Sequence, residues 1–399
     1  MRVLIADKLP DQTRTRLASH GFEVVAEPTL KGESLAERLS ELDPDILVVR
    51  STKVTATHTE AGPSLSLVIR AGAGTNTIDT AACSARGIFV ANCPGKNAVA
   101  VAELTIGWLI ALDRFLPDGV RDLRNGQWNK AAYAKARGLS GRVLGLIGLG
   151  AIGQAVATRA QALGMTVLAW SRSLTPKRAA ELGVTFATTP EEVARQADAV
   201  SVHVALTPET SKLVGESIFS TMRHGALFIN TSRSEVVDET ALANALESND
   251  LRAALDVFDG EPSDKTAPFD HPLAKHPRVY GSHHIGASTL QAQEAVGDEV
   301  CRISETFRDE GRVVNLVNTL TETAATHRLV VRHLDQVGVL AQVLKPLSEA
   351  AVNVQEMENI VFPGGAAIAR IQVSEPPSDD LLRTLHALPA VLHVTVTPL

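Results

Sequence analysis

Residues 143–173 read VLGLIGLGAIGQAVATRAQALGMTVLAWSRS. An apolar run leads into Gly148-Leu149-Gly150-Ala151-Ile152-Gly153, an alanine-rich stretch follows, and a second apolar run ends at Trp170. A GxGxxG alone is a weak signal. Between a predicted strand and a predicted helix, with another strand about twenty residues on, it marks a dinucleotide site. Gly148 permits the tight turn, Gly150 lets backbone approach a pyrophosphate, and Gly153 lets helix and strand pack closely. The helix start at Ala151 and Ile152 then offers free N–H groups and the positive end of its dipole to phosphate. The second strand of such a unit usually closes on Asp or Glu, which accepts the ribose hydroxyls and repels a 2′-phosphate. Here Ser171 and Arg172 stand there. A hydroxyl and a guanidinium accommodate phosphate, so NADP(H) stays open beside NAD(H).

The 399 residues exceed a single core, so two or three domains are expected. A net charge of −7 without a long basic run speaks against a nucleic-acid partner. Cys83, Cys93 and Cys301 form no CxxC and no Cys/His pairing, which argues against zinc, or any metal, and against a disulfide framework. No apolar stretch reaches membrane-spanning length, and the opening MRVLIADKLPD reads as a core strand and turn. A cytoplasmic protein with no membrane partner is expected.

The fold class is α/β. RVLIA, EVVA, DILVV, LVIRAG and IFVAN alternate with amphipathic segments over residues 1–98, as in a parallel sheet covered on both faces. Residues 99–112 form a nearly all-apolar helix behind a cap at Asn97. The alternation restarts at Arg142 with five more strands, RVLGLIG, TVLAW, AVSVHVA, ALFINTS and RAALDVF. Ser288-Thr289-Leu290-Gln291 reads as a capping box opening a helix to about Glu310. That helix packs back on the first sheet if residues 1–98 and 288–318 form one discontinuous substrate-binding domain, with 99–287 as the dinucleotide domain. Residues 311–327 read as a linker. Residues 327–399 then follow a βαββαβ order, a small α+β module.

Three stretches beyond the glycine loop carry chemistry. FINTSRSEVVDE places Arg233 after a strand, ALDVFDGEP places Asp256 and Glu261 after the next, and YGSHHIGAST places His283 and His284 before a glycine. Open α/β sheets bind ligands at such strand ends. An arginine can hold a carboxylate, a histidine can move a hydroxyl proton, and an acid beside it fixes its tautomer. Each alone fits an ordinary surface role; all three behind a dinucleotide motif suit hydride chemistry on a 2-hydroxy acid.

GLIGLGAIG, INTSRSEVVDE, LDVFDGEP and HHIGAST together resemble the D-isomer-specific 2-hydroxyacid dehydrogenases over residues 1 to about 320. The resemblance implies two doubly wound domains, flavodoxin-like and Rossmann, with NAD as the expected cofactor. It implies Arg233 as the substrate-holding arginine, His284 as acid/base with Glu261 as its partner, and Asp256 on the nicotinamide side of the cofactor. His284 is preferred to His283 because Ile285-Gly286 follow it as in the family motif. Ala151 stands where the family often has Arg, and Ser232 and Ser234 flank Arg233 in place of the usual neighbours.

Arg50 and Lys53 follow one N-terminal strand, and Arg70 ends the next before Gly72-Ala73-Gly74. Cations at neighbouring strand ends suit a phosphate, and free N–H groups at Ala73 and Gly74 suit a carboxylate. The expected substrate is therefore a small phosphorylated hydroxy acid, and the family resemblance, through VRS at Arg50 and RAG at Arg70, implies 3-phospho-D-glycerate, oxidised to its 2-oxo acid at the start of L-serine biosynthesis. An NADPH-dependent glyoxylate or hydroxypyruvate reductase is the alternative, and a dinucleotide-sensing co-repressor of the same fold is a second. RHLDQVGVLAQVLKPLSEAAVNVQEM resembles an ACT domain, which implies a serine effector around His333, Asp335 and Asn353 or assembly alone; its exposed sheet edge is expected to pair with a copy from another subunit, in a homodimer or homotetramer, with any serine site at that junction.

Overall fold

Strands β1 (Arg2–Ile5), β2 (Glu23–Ala26), β3 (Ile46–Val49), β4 (Leu67–Arg70) and β5 (Phe89–Asn92) form a parallel sheet in the order β2-β1-β3-β4-β5. Val3, Ile46, Leu67 and Ile69 feed the core on one face; Leu4, Leu47, Val68 and Val90 feed the other. This two-sided burial explains the unbroken apolar runs in the sequence. The computed structural model describes residues 1–262, 266–320 and 323–399, which divide into two compact units, Met1–Asn318 and Thr319–Leu399.

The second sheet of the larger unit has seven parallel strands: β6 (Val143–Ile147), β7 (Thr166–Trp170), β8 (Thr185–Phe186), β9 (Ala199–Val202), β10 (Leu227–Asn230), β11 (Arg252–Leu255) and β12 (Val279–Gly281). Their order is β12-β11-β10-β9-β6-β7-β8, so strand order reverses between β6 and β9, beside the glycine loop. The sequence reading finds five of these strands. β8 has two residues and β12 three, too short for any periodicity to register.

The helix Ala98–Arg114 packs Ala102, Leu109 and Leu112 against Val156, Ala157 and Ala160 of the glycine-loop helix Ala151–Ala162. Asn97 occupies the N-cap position, but its side chain caps nothing. The helix Leu290–Glu310 returns to the first sheet, burying Val296, Val300, Cys301 and Ile303 beside Val3, Ile5 and Leu17. Thr289, not Ser288, caps it, accepting from the Ala292 N–H at 3.1 Å. A capping box anchored on Ser288 therefore does not form; the helix starts one residue later.

Part of the predicted linker, residues 315–318, is bound structure. Asn92 donates to the Asn315 carbonyl, Val317 donates to Val90, and the Asn318 side chain caps the Val90 N–H at 2.8 Å. Residues 315–318 thus extend the edge of β5. Asn-Leu-Val-Asn is too short for a period to register, and an edge segment buries backbone bonds rather than side chains.

One carboxylate ties these parts together. Glu299, 3% exposed, accepts from Asn315 Nδ2 at 2.6 Å and pairs with Lys96 at 3.1 Å and with Arg302. The Arg302 hydrogen bonds, assisted by Lys96 and Asn315, outweigh burial and pull its pKa down to about 2.

The smaller unit is a four-stranded antiparallel sheet of β13 (His327–Leu334), β14 (Val354–Val361), β15 (Ala366–Val373) and β16 (Val391–Pro398), in the order β14-β15-β13-β16. Two helices, Val339–Glu349 and Asp379–His386, cover one face through Val343, Leu347, Leu381 and Leu385. No helix among the described residues is long and apolar enough to cross a membrane.

Glu299→Gln is expected to destabilise the protein by about 1–2 kcal/mol at neutral pH, the scale of a lost hydrogen bond to charge. Because the folded pKa is depressed, the wild-type advantage exists above the ordinary value near 4.5 and disappears as pH falls through about 2. Thermal melts of the two proteins should converge over that window.

Candidate active site

The site begins at the C-terminal ends of β10, β11 and β12. Asn230 ends β10, and its Oδ1 accepts from the Ser232 N–H at 3.0 Å and the Ser232 hydroxyl at 2.7 Å. Its amide nitrogen donates to the Arg233 carbonyl at 2.9 Å. This buried amide shapes the turn that presents Arg233. The Arg233 guanidinium reaches the first domain's glycine turn: a Cβ added to Gly74 would lie 3.1 Å from Arg233 Nη2.

Asp256 follows β11 and is 1% exposed. Its Oδ1 accepts from Ser282 Oγ at 2.5 Å and the Ile285 N–H at 2.9 Å; its Oδ2 accepts from the Gly286 N–H at 2.8 Å. Its carbonyl accepts from the His284 N–H at 2.8 Å. The carboxylate holds the loop that carries His284. Trp108 Nε1 donates to Ser282 Oγ at 3.3 Å and braces the same loop.

His284 has φ of +54°, and its Nδ1 lies 2.7 Å from Glu261 Oε2. Glu261 Oε1 accepts from the Phe258 N–H at 2.9 Å. Burial raises the Glu261 pKa, but hydrogen bonds from His284 and Phe258 and the charges of His284 and Arg233 hold it below the usual carboxylate range. His283 is exposed.

Arg50 and Arg70 reach this region from the first sheet. They line a cleft of about 160 Å³ together with His284, Asn97, Ser288 and Gln293. Burial first, then the charges of Arg233 and Arg50, pulls the Arg70 pKa down from its ordinary value. Among the described residues none of these three arginines has a carboxylate within ion-pair distance. Asp7, just after β1, organises the Arg50 turn by accepting from the backbone of Arg50 (2.6 Å), Ser51 (3.0 Å) and Thr52 (2.9 Å). Burial raises the Asp7 pKa, yet these bonds and the Ser51 hydroxyl bring it below normal. Lys53 is exposed and lies outside the cleft lining, so it does not join the arginines. The Ala73 carbonyl accepts from Asn92 Nδ2 at 2.6 Å, while the N–H groups of Ala73 and Gly74 have no protein acceptor among the described residues.

The glycine loop divides its work by geometry. Gly148 has φ of +103°, and a Cβ there would meet the His203 carbonyl oxygen at 2.5 Å. A Cβ on Gly153 would meet the Gly148 carbonyl oxygen at 2.3 Å, whereas one on Gly150 would meet nothing within 4 Å. Gly150 therefore borders open space where Ala151 and Ile152 begin a helix with no side-chain cap. Ser171 is half-buried and Arg172 exposed at the end of β7.

The residues read as a regulatory set do not gather within one chain. His333 is 1% exposed, with Nδ1 on the Leu334 carbonyl (2.8 Å) and Nε2 on Asn359 Oδ1 (3.1 Å). Asp335 is exposed near that end of the sheet. Asn353 sits at the other, beside Ser374 and the start of β13. Six residues of strand separate the two ends, roughly 20 Å. The spacing along the sequence could not reveal this, because β14 runs in the same direction as β13 from the opposite side of β15.

Asn230, Asp7 and Ser282 are missed by motif reading. Each is a polar residue closing an apolar strand or its exit, and that position is the signal that finds them.

Residues 106–286 match the model of the D-isomer specific 2-hydroxyacid dehydrogenase, NAD binding domain. The D-3-phosphoglycerate dehydrogenase of Methanocaldococcus jannaschii is 38% identical over 323 residues, covering 80% of this chain and 60% of that protein. The chain thus spans less than two thirds of the length of that relative. The TT0316 protein from Thermus thermophilus superposes with a TM-score of 0.70 at 33% identity, covering 79% of this chain and all of that one. An NAD+-bound 3-phosphoglycerate dehydrogenase of Entamoeba histolytica gives 0.66 at 27% identity, covering 80% and 99%.

Gly148→Ala is expected to lower the melting temperature by several degrees, through a clash with backbone at a positive φ. Gly150→Ala should leave it within about one degree, since surface-type changes stay within roughly 0.5 kcal/mol. Differential scanning calorimetry of both variants checks the contrast.

Proposed function

Because the chain belongs to the D-isomer specific 2-hydroxyacid dehydrogenase family, we propose that it oxidises 3-phospho-D-glycerate to the corresponding 2-oxo acid, at the start of L-serine biosynthesis. One observation carries the substrate choice: Arg50 and Arg70, without ion-pair partners among the described residues, line the same cleft as His284. Clustered cations without partners are costly unless an anion completes them. A phosphorylated acid supplies two anionic ends.

The residues present fit a dinucleotide. Gly150 leaves the room that backbone approach to a pyrophosphate requires, and the uncapped helix start supplies N–H donors. A bound nicotinamide supplies the hydride acceptor. Arg233 holds the substrate carboxylate and polarises the C2 oxygen, with the Ala73 and Gly74 N–H groups as further donors. His284 takes the hydroxyl proton through Nε2. Glu261 holds the opposite ring nitrogen and stabilises the imidazolium as it forms. Asp256 keeps His284 in position without touching substrate. Arg50 and Arg70 take the phosphate.

A dehydrogenase for an unphosphorylated hydroxy acid is the second reading, favoured by Lys53 lying outside the cleft. The C-terminal unit, with edge strands β14 and β16, is assigned to pairing with another copy. A serine effector would then need His333 and Asn353 from different chains, since one chain holds them at opposite ends of the sheet.

His284→Ala should lower kcat by about 10²–10⁴-fold, the usual worth of general acid–base help, with dinucleotide affinity little changed. His283→Ala should be milder, and the reverse order would move the acid/base to His283. Activity on 3-phospho-D-glycerate against D-glycerate and glyoxylate decides between the two substrate readings. Ser171→Asp should shift the kcat/KM ratio toward NAD(H) over NADP(H) by about tenfold, since a carboxylate there accepts ribose hydroxyls and repels a 2′-phosphate.

A further inference from the structure

The turn that carries Glu261 is held from behind by a second carboxylate. Phe258, Asp259 and Gly260 follow β11 and lead back to Glu261, and two successive N–H groups of this turn go to two different acids. The Phe258 N–H donates to Glu261 Oε1 at 2.9 Å, and the Asp259 N–H donates to Glu239 Oε1 at 2.9 Å. Glu239 opens the helix Glu239–Ser248, which follows the Arg233 turn. Its other oxygen, Oε2, lies 3.0 Å from His271 Nε2. Glu239 and His271 are mostly buried, their side chains 18% and 14% exposed, so water competes little for this pair.

The same turn is packed through its aromatic ring. Phe258 meets His271 edge to face at 5.4 Å and Phe269 at 5.6 Å, and Phe269 stacks on His271 at 5.6 Å. Phe258 also abuts Gly281, where an added Cβ would lie 2.9 Å from its Cζ. Gly281 ends β12, three residues before His284. Ring packing alone is non-directional and leaves the turn able to pivot about Phe258. The hydrogen bond from Asp259 is directional and assisted by charge, so it removes that freedom. Only Gly260, at φ +67°, stands between Asp259 and Glu261, so a shift of the Asp259 N–H passes almost directly to the Glu261 backbone. Glu239 is not among the residues that line the cleft of Arg50, Arg70 and His284.

We infer that Glu239, backed by His271, is a positioning residue of the proton-transfer pair: by holding the Asp259 N–H it sets the Glu261 carboxylate against His284 Nδ1. This rests on the reading of His284 and Glu261 as the acid/base pair proposed above. The two side chains lie 2.7 Å apart, and that separation leaves little room for a turn that drifts. Positive charge grows on His284 as it takes the hydroxyl proton. A loosened Glu261 therefore weakens an interaction that is stronger in the transition state than in the ground state, which lowers kcat and spares KM.

The test is steady-state kinetics of the full chain with 3-phospho-D-glycerate and, in the reducing direction, glyoxylate. Glu239→Ala, Glu239→Asp and Glu239→Gln are each compared in the wild type and in a Glu261→Gln background, with melting temperatures taken alongside. Glu239→Ala should lower kcat about tenfold, the scale of one hydrogen bond to a charged group, with KM within about twofold. Glu239→Asp keeps the charge at the helix start but withdraws the oxygen by one methylene. It should lose as much, and it supplies the comparison if the alanine variant does not fold. Glu239→Gln keeps an acceptor oxygen for the Asp259 N–H and should hold kcat within about threefold of the wild type. In the Glu261→Gln background the alanine and aspartate changes should cost less than about twofold, because the carboxylate they position is gone. Equal losses in both backgrounds, a loss confined to KM, no loss with alanine or aspartate, or glutamine as damaging as alanine would each overturn the role of Glu239. A Glu261→Gln variant as active as the wild type, or a wild type that turns over neither acid, would instead overturn the acid/base reading, and the role of Glu239 with it.

Discussion

Asp256 is the residue on which the site depends. His284 adopts a left-handed backbone conformation, which costs a non-glycine residue on the order of 1–2 kcal/mol. The cost is met next door, where one buried carboxylate gathers Ser282 Oγ and the N–H groups of Ile285 and Gly286, and the Asp256 carbonyl takes the His284 N–H. Without that clamp the loop has no reason to hold the imidazole 2.7 Å from Glu261. The clamp in turn relies on sheet register. Asp256 donates its N–H to the Asn230 carbonyl, and Asn230 shapes the Arg233 turn. Arginine, histidine and glutamate are thus set by two neighbouring strand ends, Asn230 and Asp256, neither of which reaches out to substrate.

This division explains what could be read from the sequence. The glycine loop was legible because its demands are local: Gly148 and Gly153 are each forced by backbone within the same motif or the adjoining strand. Arg233, Glu261 and His284 were legible as residue types behind strands. The clamp made by Asp256 was not, because which backbone groups a carboxylate gathers depends on how the 282–286 loop folds back over β11. Where Lys53 and the set of His333, Asp335 and Asn353 come to lie was not legible for a related reason. Distance along the chain says little about which end of a sheet a residue reaches. Residues 315–318 carry no apolar period, since their role is to satisfy the edge of β5.

Electrostatics give the cleft its direction. Arg50, Arg70 and Arg233 lie close enough that Arg70 loses basicity to the other two as well as to burial. Asp7 stands near, but it is occupied with the backbone of the Arg50 turn and held ionised by it. Like charges gathered in this way favour an anion at the cleft, which supports the phosphorylated-substrate reading proposed above. The same field explains the state of Glu261, whose ionised form is favoured by Arg233 across the site as well as by His284.

The chain crosses between the two sheets near residues 93–98 and again near 282–290. The groups assigned to proton transfer and to the cofactor lie on or after strands of the second sheet. Arg50 and Arg70 lie at strand ends of the first. The proposed recognition of the distal end of a substrate and the proposed chemistry at its C2 are therefore drawn from two sheets of one compact unit, joined at two short crossings. The second of those crossings is the His284 loop itself. Any relative movement of the sheets must pass through residues that Asp256 clamps, while Glu299 fastens Lys96 of the first crossing to the returning helix.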